Sequence, residues 1–171
     1  MRLIRIFNDY ELCEFESKSE LEEYVEVNKS IIINTECEDK KKFYGINLKI
    51  DSIFIGIFGG MHGIEPSTLI GIKENYILIS ADEKVYCIDL KDYRIRWVKE
   101  FDSIIYEVIK EQDSSFLAVC ELGVVSFTYK GETQWEHTSD VITDFELDSN
   151  TLRLSTNEGE YSLLLDNGKV V

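Results

Sequence analysis

Between Tyr76 and Leu147 the chain writes one short pattern of strands and turns twice, and no other feature restricts its fold as strongly. The first copy runs through strand-like segments at 76–80, 85–90 and 94–98, the last bearing Trp97, and then 104–109, with turns at 81–84 and 91–93. The second runs through 116–120, 124–129, 132–136 with Trp135, and 141–147, with turns at Leu122-Gly123 and Lys130-Gly131. The offsets agree: Tyr76 to Phe116 is 40 residues, Trp97 to Trp135 is 38, and Ile104 to Val141 is 37. Short runs rich in β-branched and aromatic residues, bounded by Gly, Asn and Asp, are strands because they fit a pleated, half-buried surface between turns that need positive φ. A third copy begins at 151–155, turns at 156–159, continues at 161–165 and Asp166-Asn-Gly-Lys, and stops where a tryptophan-bearing strand would form.

A period near 40 residues with four short strands per unit is that of a propeller blade. The strand type Val85-Tyr-Cys-Ile-Asp-Leu, followed by a polar turn and a tryptophan strand, with Lys130-Gly-Glu-Thr-Gln-Trp135 as the clearest example, resembles the quinoprotein-like (PQQ-type) β-propeller repeat over roughly residues 76–171. The resemblance implies blade geometry with the tryptophans wedged between sheets. Two full units and a partial one are fewer than such rings close with, so no cofactor residue carries over and no cofactor is expected. The expected fold is mainly β: antiparallel β-meanders forming an incomplete propeller or a twisted sandwich, with one short N-terminal helix. One domain is expected over 1–171, with 1–58 as hairpin, helix and strands and 69–171 as the repeated meanders. Unclosed meanders leave strand edges that need covering, and the N-terminal part is available for it.

In that part, 2–7 and 10–16 are strand-like and separated by Asn8-Asp9, a tight-turn pair. Ser17 and Glu20 form a capping box, and Leu21, Tyr24 and Val25 follow at helical spacing up to about Asn28. A buried strand is expected at 30–35 and an antiparallel pair at 43–50 and 51–58, with Phe43, Gly45, Asn47 and Lys49 on a wet face. The segment Gly56–Gly63, continuing to Pro66, is expected to be a connecting loop. It lacks the Gly-Lys-Ser/Thr ending of a phosphate-binding loop.

Chemistry is constrained mainly by what the residues fail to assemble. His62 and His137 are 75 residues apart with no motif linking them, and the cysteines Cys13, Cys37, Cys87 and Cys120 are scattered singly, so neither a catalytic dyad nor a zinc site is supported and no enzyme is expected. Cys37, among charges, is expected to be the exposed one. A formal charge of −15 opposes a nucleic-acid surface, which needs cations to displace counterions. No stretch approaches the roughly 20 apolar residues of a membrane span, and the N-terminus lacks a signal-like run, so a cytoplasmic protein is expected.

The acidic residues concentrate twice. Glu20, Glu22 and Glu23 stand on the helix, and Glu132, Glu136, Asp140, Asp144 and Glu146 run from the second tryptophan strand onward, continued by Asp148, Glu158 and Glu160 and relieved by Arg153. Alternation in 141–147 puts Asp144 and Glu146 on one strand face. These eight residues are the candidate partner-binding set, and a basic protein is the expected partner. The function expected is that of an acidic cytosolic binding protein, most specifically, by analogy of type with bacterial immunity proteins, one that neutralises a basic toxin such as a nuclease. The alternative is a propeller-like interaction or sensor module without catalytic activity, whose complexes would be nearly independent of ionic strength.

Overall fold

The computed structural model describes residues 1–28, 30–36, 41–49, 53–60, 62–71, 75–112 and 115–171. Strand accounts for 61% of the described residues, and the one helix among them lies near the N-terminus, so the mainly-β expectation holds. The first sheet contains β1 (Arg2–Ile6), β2 (Tyr10–Phe15), β3 (Ile31–Ile33), β4 (Lys42–Leu48) and β5 (Ile53–Gly59), in the order β1-β2-β4-β5-β3, with α1 (Lys18–Asn28) between β2 and β3 in the chain. All pairings are antiparallel except that of β3 with β5, where Ile31, Ile32 and Ile33 run beside Ile55, Gly56 and Ile57.

Three meanders follow. The second sheet is β6 (Ser67–Gly71), β7 (Tyr76–Ala81), β8 (Lys84–Asp89) and β9 (Ile95–Glu100). The third is β10 (Ile105–Gln112), β11 (Ser115–Cys120), β12 (Gly123–Thr128) and β13 (Thr133–Thr138), and the fourth is β14 (Ile142–Leu147), β15 (Thr151–Thr156) and β16 (Gly159–Leu164). The strand expected to close the first copy, 104–109, instead opens the third sheet as β10, and β6 opens the second. A repeat read from sequence is cyclic, so its period does not say at which strand a sheet begins. Pairing decides it: β10 exchanges hydrogen bonds with β11, while Phe101–Ile104 crosses from the outer edge of one sheet to the first strand of the next. In the fourth sheet the tail only begins a fourth strand, with Leu164 N–H donating to Lys169 O at 2.8 Å and Val171 N–H to Ser162 O at 2.9 Å.

The sheets stack as layers separated by four cores. Helix α1 covers the outer face of the first sheet through Leu21 and Val25 on Cys13, Phe15, Phe54 and Phe58. The opposite face, with Leu12, Ile46, Ile55 and Ile57, meets Ile77, Ile79, Tyr86 and Ile88 of the second sheet. Leu78, Val85 and Cys87 then meet Phe116, Ala118 and Phe127, and Leu117, Val119 and Val124 meet Ile142, Leu152, Leu154 and Leu163. Successive side chains of a strand point to opposite faces, so β7 and β11, lying between two layers, are apolar at nearly every position. The β4 face expected to be wet is buried at Gly45 and half-buried at Phe43 and Asn47, because the helix-side core covers it, and is exposed at Lys49. Likewise β5 continues through Gly59, and Gly56 is bare because Val25 and Leu21 of α1 come down on it; the connecting loop starts at Gly60.

A buried polar cluster ties the first two sheets together. Asn34 Nδ2 donates to Phe58 O at 2.7 Å and to Asp82 Oδ2 at 3.1 Å, the Tyr86 hydroxyl donates to Asn34 Oδ1 at 3.1 Å, and Gly60 N–H donates to Asp82 Oδ1 at 2.9 Å. Burial pushes the Tyr86 hydroxyl well above its ordinary pKa, so it acts as a neutral donor.

The tryptophans wedge between sheets by a repeated device. Trp97 on β9 donates its indole N–H to Tyr129 O at 3.0 Å, and Trp135 on β13 donates to Leu165 O at 2.9 Å, so each reaches forward to a turn of the following sheet. Gly131 and Gly168 lie beneath the two rings in left-handed backbone, at φ +82° and +70°. The equivalent turn of the second sheet, which has no tryptophan strand before it, carries Tyr93 at φ 57°.

Candidate functional site

The fourth sheet has one apolar and one polar face. Leu152, Leu154 and Leu163 are fully buried against the third sheet, and among the described residues no layer covers the other side. Across that side Glu146 pairs with Arg153 and Arg153 with Ser162, while Asp144 pairs with Ser155. Asp144 and Glu146 therefore share an exposed face, as the alternation implies. Arg153 Nη2 donates to Glu160 Oε2 at 2.6 Å, and this bond, reinforced by Glu146, raises the guanidinium pKa. From residue 140 to 171 there are seven acidic residues (Asp140, Asp144, Glu146, Asp148, Glu158, Glu160, Asp166) against Arg153 and Lys169, a net of −5. Asp140 faces the same end of the molecule, in a groove with Glu158, Glu160 and Tyr161.

The other candidates lie elsewhere. Glu132 precedes β13 and Glu136 stands on it, the outer edge strand of the third sheet, where Glu136 borders a groove toward Lys99 of the second. Glu20, Glu22 and Glu23 are on α1, at the opposite end of the stack. Glu20 N–H donates to Ser17 Oγ at 3.2 Å and Glu20 Oε2 accepts Glu16 N–H at 2.8 Å, so this carboxylate is engaged in capping the helix and in an ion pair with the N-terminal amine. Glu22 lies 3.6 Å from Lys18 one turn away. The eight residues thus divide among three surfaces, and a contact patch of ordinary size takes in Asp140, Asp144 and Glu146 without the helix.

The remaining chemistry is sparse. His62 is exposed with Nε2 4.0 Å from Glu83, and His137 lies 3.3 Å from the Tyr161 hydroxyl, burial lowering its pKa. Cys13, Cys87 and Cys120 are buried, and burial pushes the thiols of Cys87 and Cys120 up to about 11 and about 12, which leaves them unreactive near neutral pH. Cys37 lies outside the described residues. Among the described residues no group of three or more His, Cys, Asp or Glu side chains is placed to hold a metal.

The charge distribution predicts a particular pH profile. Lys42 and then Arg2 hold the Glu14 carboxyl below its ordinary 4.5, and Lys91 N–H with Arg96 holds Asp89 below 3.8. A depressed folded-state pKa means that protonation favours the unfolded chain, so this stabilisation is complete above the ordinary values and is lost as pH falls through the depressed ones. Glu111 has the opposite sign: burial, and then Asp166, raise it, so folding gains as it protonates. The excess of negative charge adds to that trend. Burial lowers the His137 pKa, so protonation of that imidazole also works against folding. Stability is expected to rise with salt at pH 7 and to fall below about pH 4, where the depressed carboxylates protonate. Thermal melts across pH and salt check it, and stability that salt leaves unchanged at pH 7, or that holds below about pH 4, contradicts it.

No protein-family model and no curated protein matches the sequence. Solved structures do match the fold. Dihydro-heme d1 dehydrogenase NirN in complex with DHE superposes with a TM-score of 0.56 at 13% identity, covering 75% of this chain and 31% of that one. The computationally designed Ika8 protein gives 0.54 at 12%, covering 80% and 46%. The Cps50 (Swd1) β-propeller domain of Myceliophteria thermophila gives 0.50 at 13%, covering 64% and 36%. The chain spans less than half the length of each of these three, and at such identities the likeness is one of fold. That fold is β-propeller-like, with several antiparallel sheets and no closed one.

Proposed function

We propose that the protein is an acidic, propeller-like binding module that receives a basic protein on the uncovered face of its fourth sheet. One observation carries the reading: the sheet face without a covering layer is also the one where Asp144, Glu146 and Glu160 surround a single arginine. Carboxylates on a flat, wet surface steer a cationic partner and set its orientation, acting on the association rate more than on the lifetime of the complex. In its most specific form the partner is a basic toxin such as a nuclease, and the protein is its immunity factor; small size, strong negative charge and a scaffold without a recognisable catalytic group support this form.

The test is to measure binding to basic proteins encoded beside the gene, with the wild type and with an Asp144→Asn, Glu146→Gln, Glu160→Gln variant. Association is expected to slow about tenfold or more in the variant and to weaken steeply between low and physiological salt. Absence of binding to any of them at low salt overturns the reading. Binding that is insensitive to salt points instead to an interaction module without charge steering, a second reading favoured by the exposed Ile95 (45%) and Val98 (46%) on the edge strand β9.

A further inference from the structure

A second cleft lies away from the fourth sheet. It opens where the first three sheets converge, between the β1–β2 turn, the segment 63–66, and the side-by-side edge strands β6 and β10, and has a volume of about 740 Å3. Core packing of three layers fixes its walls, and Val108 N–H donating to Ser67 Oγ at 3.4 Å links its two floor strands.

The lining has a definite chemistry. Three carboxylates, Asp9, Glu65 and Glu107, come from three different elements and face one cation, Arg5, which is 3.2 Å from Glu65. Among the described residues neither Asp9 nor Glu107 has an ion-pair partner. Phe7 and Tyr10 stack at 4.3 Å with an interplanar angle of 15°, giving one wall an aromatic surface. On the floor, Thr68 Oγ1 is buried without a formed hydrogen bond, the one side-chain polar atom of which this holds among the described residues. It lies near enough to the Tyr10 hydroxyl to draw its pKa down a little against the larger effect of burial, yet outside hydrogen-bond geometry.

We propose that this cleft binds a small organic cation bearing a guanidinium or primary ammonium group. The two carboxylates without an ion-pair partner supply the countercharge, the aromatic wall takes the cation or its alkyl stem, and Thr68 Oγ1 accepts an N–H that no other described residue donates. Anions are repelled by the carboxylates, and the described residues offer no metal-ligand cluster. A volume of this size is that of an ordinary small-molecule site. The site is separate from the fourth sheet and does not depend on the reading given to it.

Titration calorimetry with n-butylguanidinium, and with n-butylurea as its uncharged isostere, tests the proposal. The cation is expected to bind saturably at one site in about 150 mM salt, where diffuse counterion effects are screened, and the urea is not. Glu107→Gln and Thr68→Val, both close in size to the natural residues and checked for folding by circular dichroism, are each expected to weaken binding about tenfold. Asp144→Asn with Glu146→Gln is expected to leave it unchanged. A blocked Ala-Arg-Ala peptide shows the source: tighter binding than the free cation indicates an arginine presented by a protein, weaker binding a free metabolite. No saturable heat, equal binding of the urea, or equal weakening by the fourth-sheet variant overturns the proposal.

Discussion

Replacing Gly168 by alanine is expected to lower stability by about 3 kcal/mol, and replacing Gly131 by alanine by only about 1–2 kcal/mol. Both positions have left-handed backbone, so both bear the strain that a Cβ brings there. They differ in what lies above them. A Cβ on Gly168 would be 2.5 Å from Trp135 Cε3 and 2.9 Å from Cδ2, which forces the ring or the turn to move. On Gly131 the nearest atom of Trp97 would be 3.1 Å away, which a small adjustment relieves. Displacing Trp135 also breaks its hydrogen bond to Leu165 O, so its fluorescence should shift in Gly168→Ala while that of Trp97 should not. Denaturant unfolding with single-tryptophan variants checks both statements; equal losses at the two glycines, or an unchanged Trp135 signal, contradict them.

The second large effect is expected at Phe127. Its side chain is fully buried between the second and third sheets, with ring centroids of Phe116, Phe101 and Trp97 at 5.6, 6.0 and 6.2 Å. Phe127→Ala removes the ring from among three aromatic neighbours in layers held by backbone ladders on either side, so the cavity cannot close by collapse. The expected cost is about 4 kcal/mol, a large share of the roughly 5–15 kcal/mol available to a domain of ordinary stability. Val98→Ala, on the exposed side of β9, is expected to change stability by less than about 1 kcal/mol. A loss below about 1.5 kcal/mol at Phe127 would mean that the two sheets repack, contrary to the rigid stacking described.

Local pattern made much of this fold legible. Alternation placed Asp144 and Glu146 together, the capping box at Ser17 and Glu20 located the helix, and the spacing of the tryptophans exposed the repeat. What escaped the sequence depends on distant partners. The phase of the sheets follows from which strands pair, and a cyclic pattern contains no such mark. The β1-β2-β4-β5-β3 order places a parallel strand beside β5 by way of α1, and that helix dries a face whose Asn47 and Lys49 suggest water. The cleft was invisible for the same reason: Arg5, Asp9, Glu65, Thr68 and Glu107 belong to four segments that no spacing rule connects. The acidic residues illustrate the converse, since neighbours along the chain such as Glu136 and Asp144 stand on different sheets.

Tyr93, where the later turns have glycine, gives the stack a direction. A tryptophan strand is finished only when the turn of the next sheet supplies the carbonyl and the bare glycine beneath its ring, and two such strands meet two such turns. The second sheet asks nothing of a tryptophan before it, so its turn is free to hold a side chain. Completion therefore passes from the later sheet back to the earlier one: loss of the fourth sheet unseats Trp135 and loosens the edge of the third, whereas the second sheet remains anchored through Asn34, Asp82 and Tyr86. Unfolding that starts at the C-terminal layer has a path inward, and unfolding that starts at the N-terminal layer meets the buried hydrogen bonds of Asn34, Asp82 and Tyr86 first.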